Sequence, residues 1–316
     1  MDVASKSLEA RIGQHGAAGS FSNDAEGIAA LGAFCLEHKV DLVAMEATGG
    51  YEQQAFAQFS GQGLAVAILN PRAVRQFAQS MGWLEKTDRI DAGMIAWYAE
   101  VKGAHPVCLA PENQQHLRAL VTRLRQLTDV RSVQLNQQRL VTDGKVRASF
   151  KKLLALLGRQ ICELEQSIAV LLAKDPLWRE LDQAFRTIKG VADRTVARLM
   201  AEMPEIGTLS NKTISKLAGV APLANDSGKH QGKRVVRGGR AAVREILFMV
   251  ASVVGRYEPD FIAFRQRLLA AGKPPKVVRI ALAHKLLVRL NAKAREVRQA
   301  MTSLEHGHAA VQPESA

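Results

Sequence analysis

The first hundred residues alternate short apolar runs with amphipathic segments, and this alternation limits the fold more than any other feature of the chain. The runs Asp41–Glu46 and Leu64–Leu69 are too short for helices and are followed by turn residues, which is typical of buried strands. Amphipathic periodicity predicts helices over 26–38, 51–60 and 71–81. Weaker strand patterns cover 3–12 and 17–22. Strands alternating with helices indicate an α/β layer fold, whose functional groups collect at the carboxyl ends of strands.

Carboxylates lie at the positions where functional groups gather in such a fold. Glu46 ends one buried strand, and Asp2 lies near the end of another if a strand precedes it. Asp88 and Asp91 are three residues apart, so both lie on one face of the helix that Thr87 is predicted to cap. Two acids on one helical face can hold a hard divalent cation when other elements add oxygen ligands. Alternatively, acids in a first turn simply suit the helix dipole.

The charge balance points to a polyanionic partner. The chain has 316 residues, long enough for two or three domains, and its 47% hydrophobic content excludes a disordered protein. Lys and Arg number 43 against 30 Asp and Glu, a formal charge of +13, which favours nucleic acid. The alternative is a basic surface without a specific partner.

The sequence predicts a cytoplasmic protein. It has no apolar run of membrane-spanning length and no apolar core of a signal peptide near its first residue. Cys35, Cys108 and Cys162 are far apart and lack metal-ligand spacing, which is typical of free thiols in a reducing compartment.

The middle of the chain predicts an antiparallel coiled-coil hairpin. Its second helix carries apolar residues at three- and four-residue intervals, at Phe150, Leu153 or Leu154, Leu157, Ile161, Leu164, Ile168 and Leu171. Thr142–Lys145 is the predicted turn, and Asp175-Pro176 the end of the second helix. Such a stripe serves either packing within one chain or a contact between protomers.

The last third is basic and helical. Ile188–Leu199 resembles a helix-hairpin-helix, whose glycine turn offers backbone N–H groups to a phosphate. The loop 225–234 and the run Arg237-Gly-Gly-Arg240 are rich in Gly, Ser, Lys and Arg without aromatic residues, which suits phosphate contacts rather than base stacking. A solvated basic loop is the alternative. The predicted nucleic-acid contacts are Lys189, Lys229, Lys233, Arg234, Arg237, Arg240 and Arg244.

Four segments carry a resemblance to a known family. They are Asp2–Glu9, Met45-Glu-Ala-Thr-Gly-Gly-Tyr51, Asn70-Pro-Arg-Ala-Val-Arg-Gln-Phe-Ala78 and Lys86-Thr-Asp-Arg-Ile-Asp-Ala92. Together they resemble the RuvC-like (RNase H-like) domain of DEDD transposases of the insertion-sequence one-ten type. The resemblance implies that Asp2, Glu46, Asp88 and Asp91 bind Mg²⁺, with Mn²⁺ as a possible substitute. In that family an apolar strand precedes the first Asp, whereas here Asp2 follows Met1 directly.

The second half of the chain resembles the other domain of the same family. The segments are Leu217-Ala-Gly-Val-Ala-Pro222, Ser227-Gly-Lys229, Arg237-Gly-Gly-Arg240 and Val243-Arg-Glu-Ile-Leu-Phe248. In the family the serine of the Ser-Gly pair is the nucleophile, which implies that role for Ser227. The predicted domains are a RuvC-like α/β domain over 1–108, a helical hairpin over 112–178, a mostly α-helical serine transposase domain over 181–300 and a disordered tail over 301–316.

The sequence therefore predicts a recombinase that excises and inserts a mobile element. The resemblance implies donor and target DNA, an element-encoded guide RNA and a homo-oligomer, a dimer or tetramer, as partners. The carboxylates and Ser227 fall in different domains, so the predicted site is composite. Two alternatives stay open: a RuvC-like nuclease that uses water, such as a junction resolvase, and an inactive nucleic-acid-binding remnant. The start at Asp2 favours the remnant.

Overall fold

The computed structural model describes residues 1–83, 85, 87–228 and 230–309, without the side chains of Asp88, Arg89, His230 and residues 304–309. The chain divides into two compact units, Met1–Ala110 and Pro111–Ala316. The first unit is a mixed α/β region with small sheets, and the second is mostly helical. In the described residues no helix is both long and apolar enough to cross a membrane.

Within the described ranges, five short strands form the sheet region of the first unit. Strands β1 (Asp2–Val3), β2 (Ser7–Arg11) and β3 (Ala18–Ser22) are antiparallel, in that order. Strands β4 (Val43–Glu46) and β5 (Val66–Leu69) are parallel. The amino group of Met1 donates to the carbonyl of Ala44 at 2.9 Å, which sets β1 beside β4. The strands therefore follow the spatial order β3-β2-β1-β4-β5.

The single strand predicted over 3–12 is wrong, because the chain reverses inside it. The backbone N–H of Ala4 donates to the carbonyl of Ser7 at 2.9 Å and closes a turn between β1 and β2. The polar pair Ser5-Lys6 occupies this turn. The result is an antiparallel pair in which Asp2 lies opposite Glu9.

Four helices complete the described part of the first unit, close to the predicted positions. They are α1 (Ala25–Glu37), α2 (Gln53–Gly61), α3 (Pro71–Ser80) and α4 (Asp88–Lys102). Thr87 caps α4 as predicted, since its side chain accepts from the N–H of Ile90. Asn70 caps α3 in the same way, and Pro71 occupies its first turn.

The pleat of the strands divides the first unit into two cores. Val43 and Met45 pack with α1 and α2 on one face of the sheet. Ala44, between them, packs with α3 and α4 on the other face. Because side chains alternate along a strand, Glu46 shares the face of Ala44. Asp2 shares that face too, since Met1 and Val3 on either side of it belong to the α1 core.

The predicted hairpin begins the second unit. Helix α5 (Glu112–Gln138) and helix α6 (Gly144–Lys174) pack against each other along their length. Leu157, Ile161 and Ile168 are buried as the stripe predicted. Towards the hairpin tip, Phe150 and Leu154 of the stripe are half-buried, whereas Leu153 is 39% exposed and Val133 of α5 is 51% exposed. The stripe thus packs within the chain, less deeply towards the tip.

Among the residues that the structure describes, six further helices and one small ribbon form the rest of the second unit. They are α7 (Pro176–Arg186), α8 (Asp193–Glu202), α9 (Asn211–Leu217), α10 (Ala241–Tyr257), α11 (Pro259–Ala270) and α12 (Pro275–Ala309). The ribbon pairs β6 (Asp226–Ser227) with β7 (His230–Gln231). A continuous core runs from Leu117 at the hairpin base to Ala294 in α12. Helix α12 extends into the predicted tail over 301–316 as far as Ala309, and the rest of that tail lies outside the described residues.

Candidate functional site

The first unit gathers acidic side chains on one face of its sheet. Asp2 and Glu46 project from neighbouring strands towards the face that α3 and α4 cover. Burial lowers the pKa of the Met1 amino group to about 6, while the carboxylates of Asp2 and Glu46 both act to raise it. That shared influence shows that both carboxylates lie near one amino group.

Helix α4 brings the third acid to the same face. It packs across β1, β2 and β4, and its first turn carries Asp91. Glu46 and Asp91 line one open cleft of about 450 Å³ between β4, α3 and α4. Asp88 begins α4, but its side chain lies outside the described residues, so the predicted four-acid set is described only for Asp2, Glu46 and Asp91.

The acids have the donor chemistry of a divalent metal site. Carboxylate oxygens are the ligands that hard cations prefer, and a cleft between a strand end and a helix turn can present them from two elements. Among the described side chains no three of His, Cys, Asp and Glu stand close enough to hold an ion. A larger depression of about 490 Å³ in this unit, lined by Leu31, Phe34 and Val43 among others, contains none of Asp2, Glu46 and Asp91.

The loop after Glu46 is held by a residue that the sequence interpretation missed. The buried Glu52 carboxylate accepts from the N–H and hydroxyl of Thr48, at 3.1 and 2.7 Å, and from the N–H of Gly50 at 2.9 Å. Burial alone would raise the pKa of Glu52, but these hydrogen bonds lower it overall. Glu52 therefore fixes the turn that ends β4. The sequence did contain a signal for this role, since Glu46 at the end of a buried strand is followed by Thr-Gly-Gly and then by a second acid, Glu52.

Ser227 lies near the tip of the ribbon in the second unit and is exposed. It pairs with His230, and Gly228 next to it has φ of +53°, a conformation that suits glycine. Lys229 lies outside the described residues. The sequence analysis also missed Asp226, whose carboxylate accepts a hydrogen bond from the N–H of Gly232 at 3.2 Å. The guanidinium group of Arg234 donates to both oxygens of the same carboxylate at 2.7 Å. These contacts hold the ribbon that presents Ser227 to solvent.

Two glycine turns join the base of the ribbon to the helices. Gly219 has φ of +68°, and a Cβ there would lie 2.2 Å from the carbonyl oxygen of Gly238. Gly239 has φ of +64°, and a Cβ there would lie 2.4 Å from the nitrogen of Gly219. Backbone therefore packs directly on backbone, which explains why the Ala-Gly-Val and Arg-Gly-Gly-Arg motifs occur together.

The basic residues predicted to bind nucleic acid divide into two groups. Arg240 is half-buried and binds both oxygens of Glu205, at 2.5 and 2.6 Å, and the carbonyl of Glu202 at 2.8 Å. Burial would raise the pKa of Glu205, but the bond from Arg240 lowers it overall. Arg244 donates to the carbonyl of Gly238 at 2.5 Å. These two guanidinium groups, with Arg234, serve the fold of the ribbon region.

The other group is exposed. Lys189, Lys233 and Arg237 have exposed side chains, and within the described ranges no ion pair engages them. They are therefore available to a polyanion in a way that the first group is not.

Helices α7 and α8 flank the turn of the predicted helix-hairpin-helix. Gly190, with φ of +100°, packs against Val253 of α10. The N–H of Lys189 donates to the buried carboxylate of Glu258 at 3.3 Å. A carboxylate of the chain itself thus occupies one donor that a phosphate would use, which the sequence pattern did not reveal.

Comparisons with known proteins agree with this arrangement. A family model for DEDD transposases of the IS110 type matches residues 1–145, and a model described as the transposase IS116/IS110/IS902 family matches residues 182–266. The chain is also similar to the pilin gene-inverting proteins of Moraxella bovis and Moraxella lacunata. Each is 26% identical over 280 residues, which cover 85% of both chains.

The two family models, which match the α/β unit and the helical unit in turn, define the class: a transposase, an enzyme that cleaves and rejoins DNA strands. Within that class, the chain belongs to the IS110 family, with a DEDD domain first and the second transposase domain after it. DNA is therefore its substrate, and the DEDD domain implies a divalent metal.

Proposed function

We propose that this transposase excises and inserts a mobile DNA element by Mg²⁺-dependent strand cleavage and a phosphoserine intermediate at Ser227. The observation that carries the proposal is the pair of structures just described, namely a cleft with strand-end acids and an exposed serine on a glycine-bounded ribbon. The spatial strand order β3-β2-β1-β4-β5 supports a RuvC-like fold for the acidic unit.

Asp2, Glu46, Asp88 and Asp91 would hold the metal, and their oxygen donors fit Mg²⁺ and also accept Mn²⁺. When bound, such ions polarise a phosphodiester and stabilise developing charge on its oxygens. The role of α4 and β4 in this reaction is to hold the carboxylates on rigid elements, so that the phosphate is oriented before attack.

Ser227 supplies the nucleophile that separates recombination from simple cutting. Its Oγ loses a proton and forms a bond to phosphorus, while the bond from phosphorus to the 3′-oxygen breaks and that oxygen leaves as a hydroxyl. The 3′-hydroxyl of a second strand then attacks the phosphoserine, restores a phosphodiester and frees Ser227. The number of phosphoester bonds is unchanged, so the joining step needs no nucleotide triphosphate.

The proposed partners follow from the charge and the family. Lys189, Lys233 and Arg237 contact phosphates, and so does Lys229, which precedes Lys233 in the sequence. Base pairing with an element-encoded RNA chooses the DNA sequence, which suits a chain whose basic residues contact backbone rather than bases. The active form is a homo-oligomer, a dimer or tetramer, working in the cytoplasm at the nucleoid.

DNA inversion is the second candidate, and the names of the two Moraxella relatives favour it. Inversion and insertion use the same cleavage and joining chemistry and differ in where the two sites lie. We favour insertion because both family models that match the chain are described as transposases.

The experiment is a comparison of Asp91→Asn with wild type on DNA that carries the element ends, with the copurified RNA and Mg²⁺. Loss of the carboxylate should abolish cleavage and leave DNA binding unchanged, because binding depends mainly on the basic residues. Cleavage at the wild-type rate by Asp91→Asn would remove the acidic cleft from the reaction.

A further inference from the structure

The acidic cleft has a second, basic wall that the proposed chemistry does not yet use. Arg72 and Arg75 of α3 line the same cleft as Glu46 and Asp91, and Gln76 lies beside them. Arg72 is exposed and Arg75 is half-buried. The cleft therefore presents two carboxylates on one side and two guanidinium groups on the other.

Packing fixes the two walls relative to each other. Val74 and Ala78 of α3 are buried with Met94 of α4, and these three apolar side chains line the same cleft between its two walls. Phe77 adds aromatic contacts to Trp97 and Tyr98, with ring centroids 5.0 and 5.4 Å apart. Since α4 also carries Asp91, the basic and acidic walls belong to one rigid layer, which is how a binding site keeps its groups in register.

The charge pattern suits a DNA strand. Without metal the two acids and two arginines cancel, and divalent ions on the acids would make the cleft positive. Arg72 and Arg75 stand one helical turn apart, with Cβ atoms about 5–6 Å apart, so their guanidinium groups can reach neighbouring phosphates of one strand. A guanidinium fork binds phosphate oxygens in pairs, which a lysine does not do.

We propose that Arg72 and Arg75 form a phosphate-binding subsite that holds the DNA strand next to the scissile phosphate in the acidic cleft. This inference rests on the proposed function and adds the residues that seat the substrate. The two arginines position the strand and take no part in bond making. The competing explanation is that Arg75 is only a counter-ion that keeps the acids from repelling one another.

The test measures equilibrium binding of duplex DNA to the full-length protein in Mn²⁺ at several salt concentrations. Ser227→Ala is present in every variant, so that strands are not exchanged. Arg72→Gln and Arg75→Gln should each weaken binding and reduce the slope of log affinity against log salt by about 1. Lys102→Gln is the matched control, because Lys102 is exposed at the far end of α4, about 16 Å along the helix from Asp91. Lys102→Gln should change neither the DNA affinity nor the slope of log affinity against log salt.

Mn²⁺ binding to the DNA-free protein distinguishes the explanations. A subsite predicts that Arg72→Gln leaves Mn²⁺ affinity unchanged. The proposal would be overturned if the slope of log DNA affinity against log salt were unchanged in both arginine variants. It would also be overturned if Arg75→Gln changed Mn²⁺ affinity but not DNA binding. Arg75→Lys keeps the positive charge but lacks the guanidinium group that binds two phosphate oxygens at once. This variant replaces Arg75→Gln in the binding test if Arg75→Gln does not fold. Strand joining is measured separately with Ser227 intact. If no strand joining occurs, the proposed recombination reaction is contradicted, whereas the binding result for the two arginines is unaffected.

Discussion

At the scale of single residues, the structure separates side chains that could do chemistry from side chains that hold the chemistry in place. Glu46 and Asp91 line the cleft, whereas Glu52 is buried and hydrogen-bonded to Thr48 and Gly50. All three are acids in or beside family-like motifs, and only burial and hydrogen bonding distinguish them.

Glu52 gives the first prediction. Its folded pKa is lower than its unfolded value, so its stabilising effect is present above about pH 4.5 and is lost as the pH falls through the folded pKa. Glu52→Gln should lower the stability of the first unit at pH 7 by about 1–3 kcal/mol, because charge-assisted hydrogen bonds are lost. The difference from wild type should shrink in acid.

Thermal unfolding at pH 7 and in acid provides the measurement for Glu52→Gln. Glu37→Gln, at the exposed end of α1, is the control and should stay close to wild type at both values. Equal loss of stability by Glu52→Gln at both pH values would show that the carboxylate charge plays no part in holding the loop.

The arginines of the ribbon region give the second prediction. Arg240→Gln leaves Glu205 without its partner and should destabilise the second unit by about 1–3 kcal/mol, which is several degrees in Tm for a unit of this size. Arg237→Gln should leave Tm unchanged and weaken nucleic-acid binding, with a salt slope reduced by about 1. Thermal unfolding and binding titrations check both. If Arg240→Gln lost binding without losing stability, Arg240 would belong to the binding surface.

At the scale of elements, the sequence predicts most of the first unit correctly because its signals are local. Helices α1 and α3 lie within about two residues of their predicted bounds, and caps at Asn70 and Thr87 are visible in the sequence. The division of 3–12 into β1 and β2 was missed, because a three-residue turn of small and polar residues carries no strong turn signal.

The cleft could be predicted only in part. Periodicity places Asp91 on a helical face and Glu46 at a strand end, but which helix covers which face of the sheet depends on long-range packing. The basic wall formed by Arg72 and Arg75 follows from that packing and has no local signature. The same holds for Glu258, which reaches the N–H of Lys189 from 69 residues away.

The hairpin of α5 and α6 gives the third prediction. Its tip exposes apolar side chains that include Val133, Leu153 and Leu156, and a second protomer would cover them in the oligomer proposed above. Leu153→Glu should reduce the molar mass in solution without changing Tm. Ile161→Glu, a buried position of the same stripe, should instead unfold the hairpin base.

Size-exclusion chromatography with light scattering measures the masses. A wild-type protein that is a monomer, or a Leu153→Glu variant with the wild-type mass, would contradict a role of the hairpin tip in assembly. The loss of solubility by Ile161→Glu alone would not count for either result, since that position belongs to the core of one chain.

At the scale of the whole molecule, the basic residues that give the formal charge of +13 have different roles. Several arginines of α12 bind carbonyl groups of the chain, such as Arg298 at Pro204 and Ile206, and so support the fold. The exposed Lys189, Lys233 and Arg237 remain for phosphates. Net charge in the sequence therefore predicts a polyanionic partner correctly but does not identify its contacts, because burial decides which cations reach solvent.

The two units also divide the proposed reaction between them. The acids belong to Met1–Ala110 and Ser227 belongs to Pro111–Ala316. Recombination requires both on one phosphate, whereas a nuclease that uses water requires only the first unit. The nucleophile is therefore the point on which the account depends.

Trapping the covalent intermediate tests that point most directly. The protein, its copurified RNA and Mg²⁺ are incubated with nicked DNA that blocks rejoining, then digested, and the modified peptide is mapped by mass spectrometry. The account predicts a nucleotide attached to Ser227, and no adduct and no strand exchange with Ser227→Ala, which should still bind nucleic acid. DNA cleavage at the wild-type rate by Ser227→Ala, without any adduct, would contradict it and leave a water-dependent nuclease.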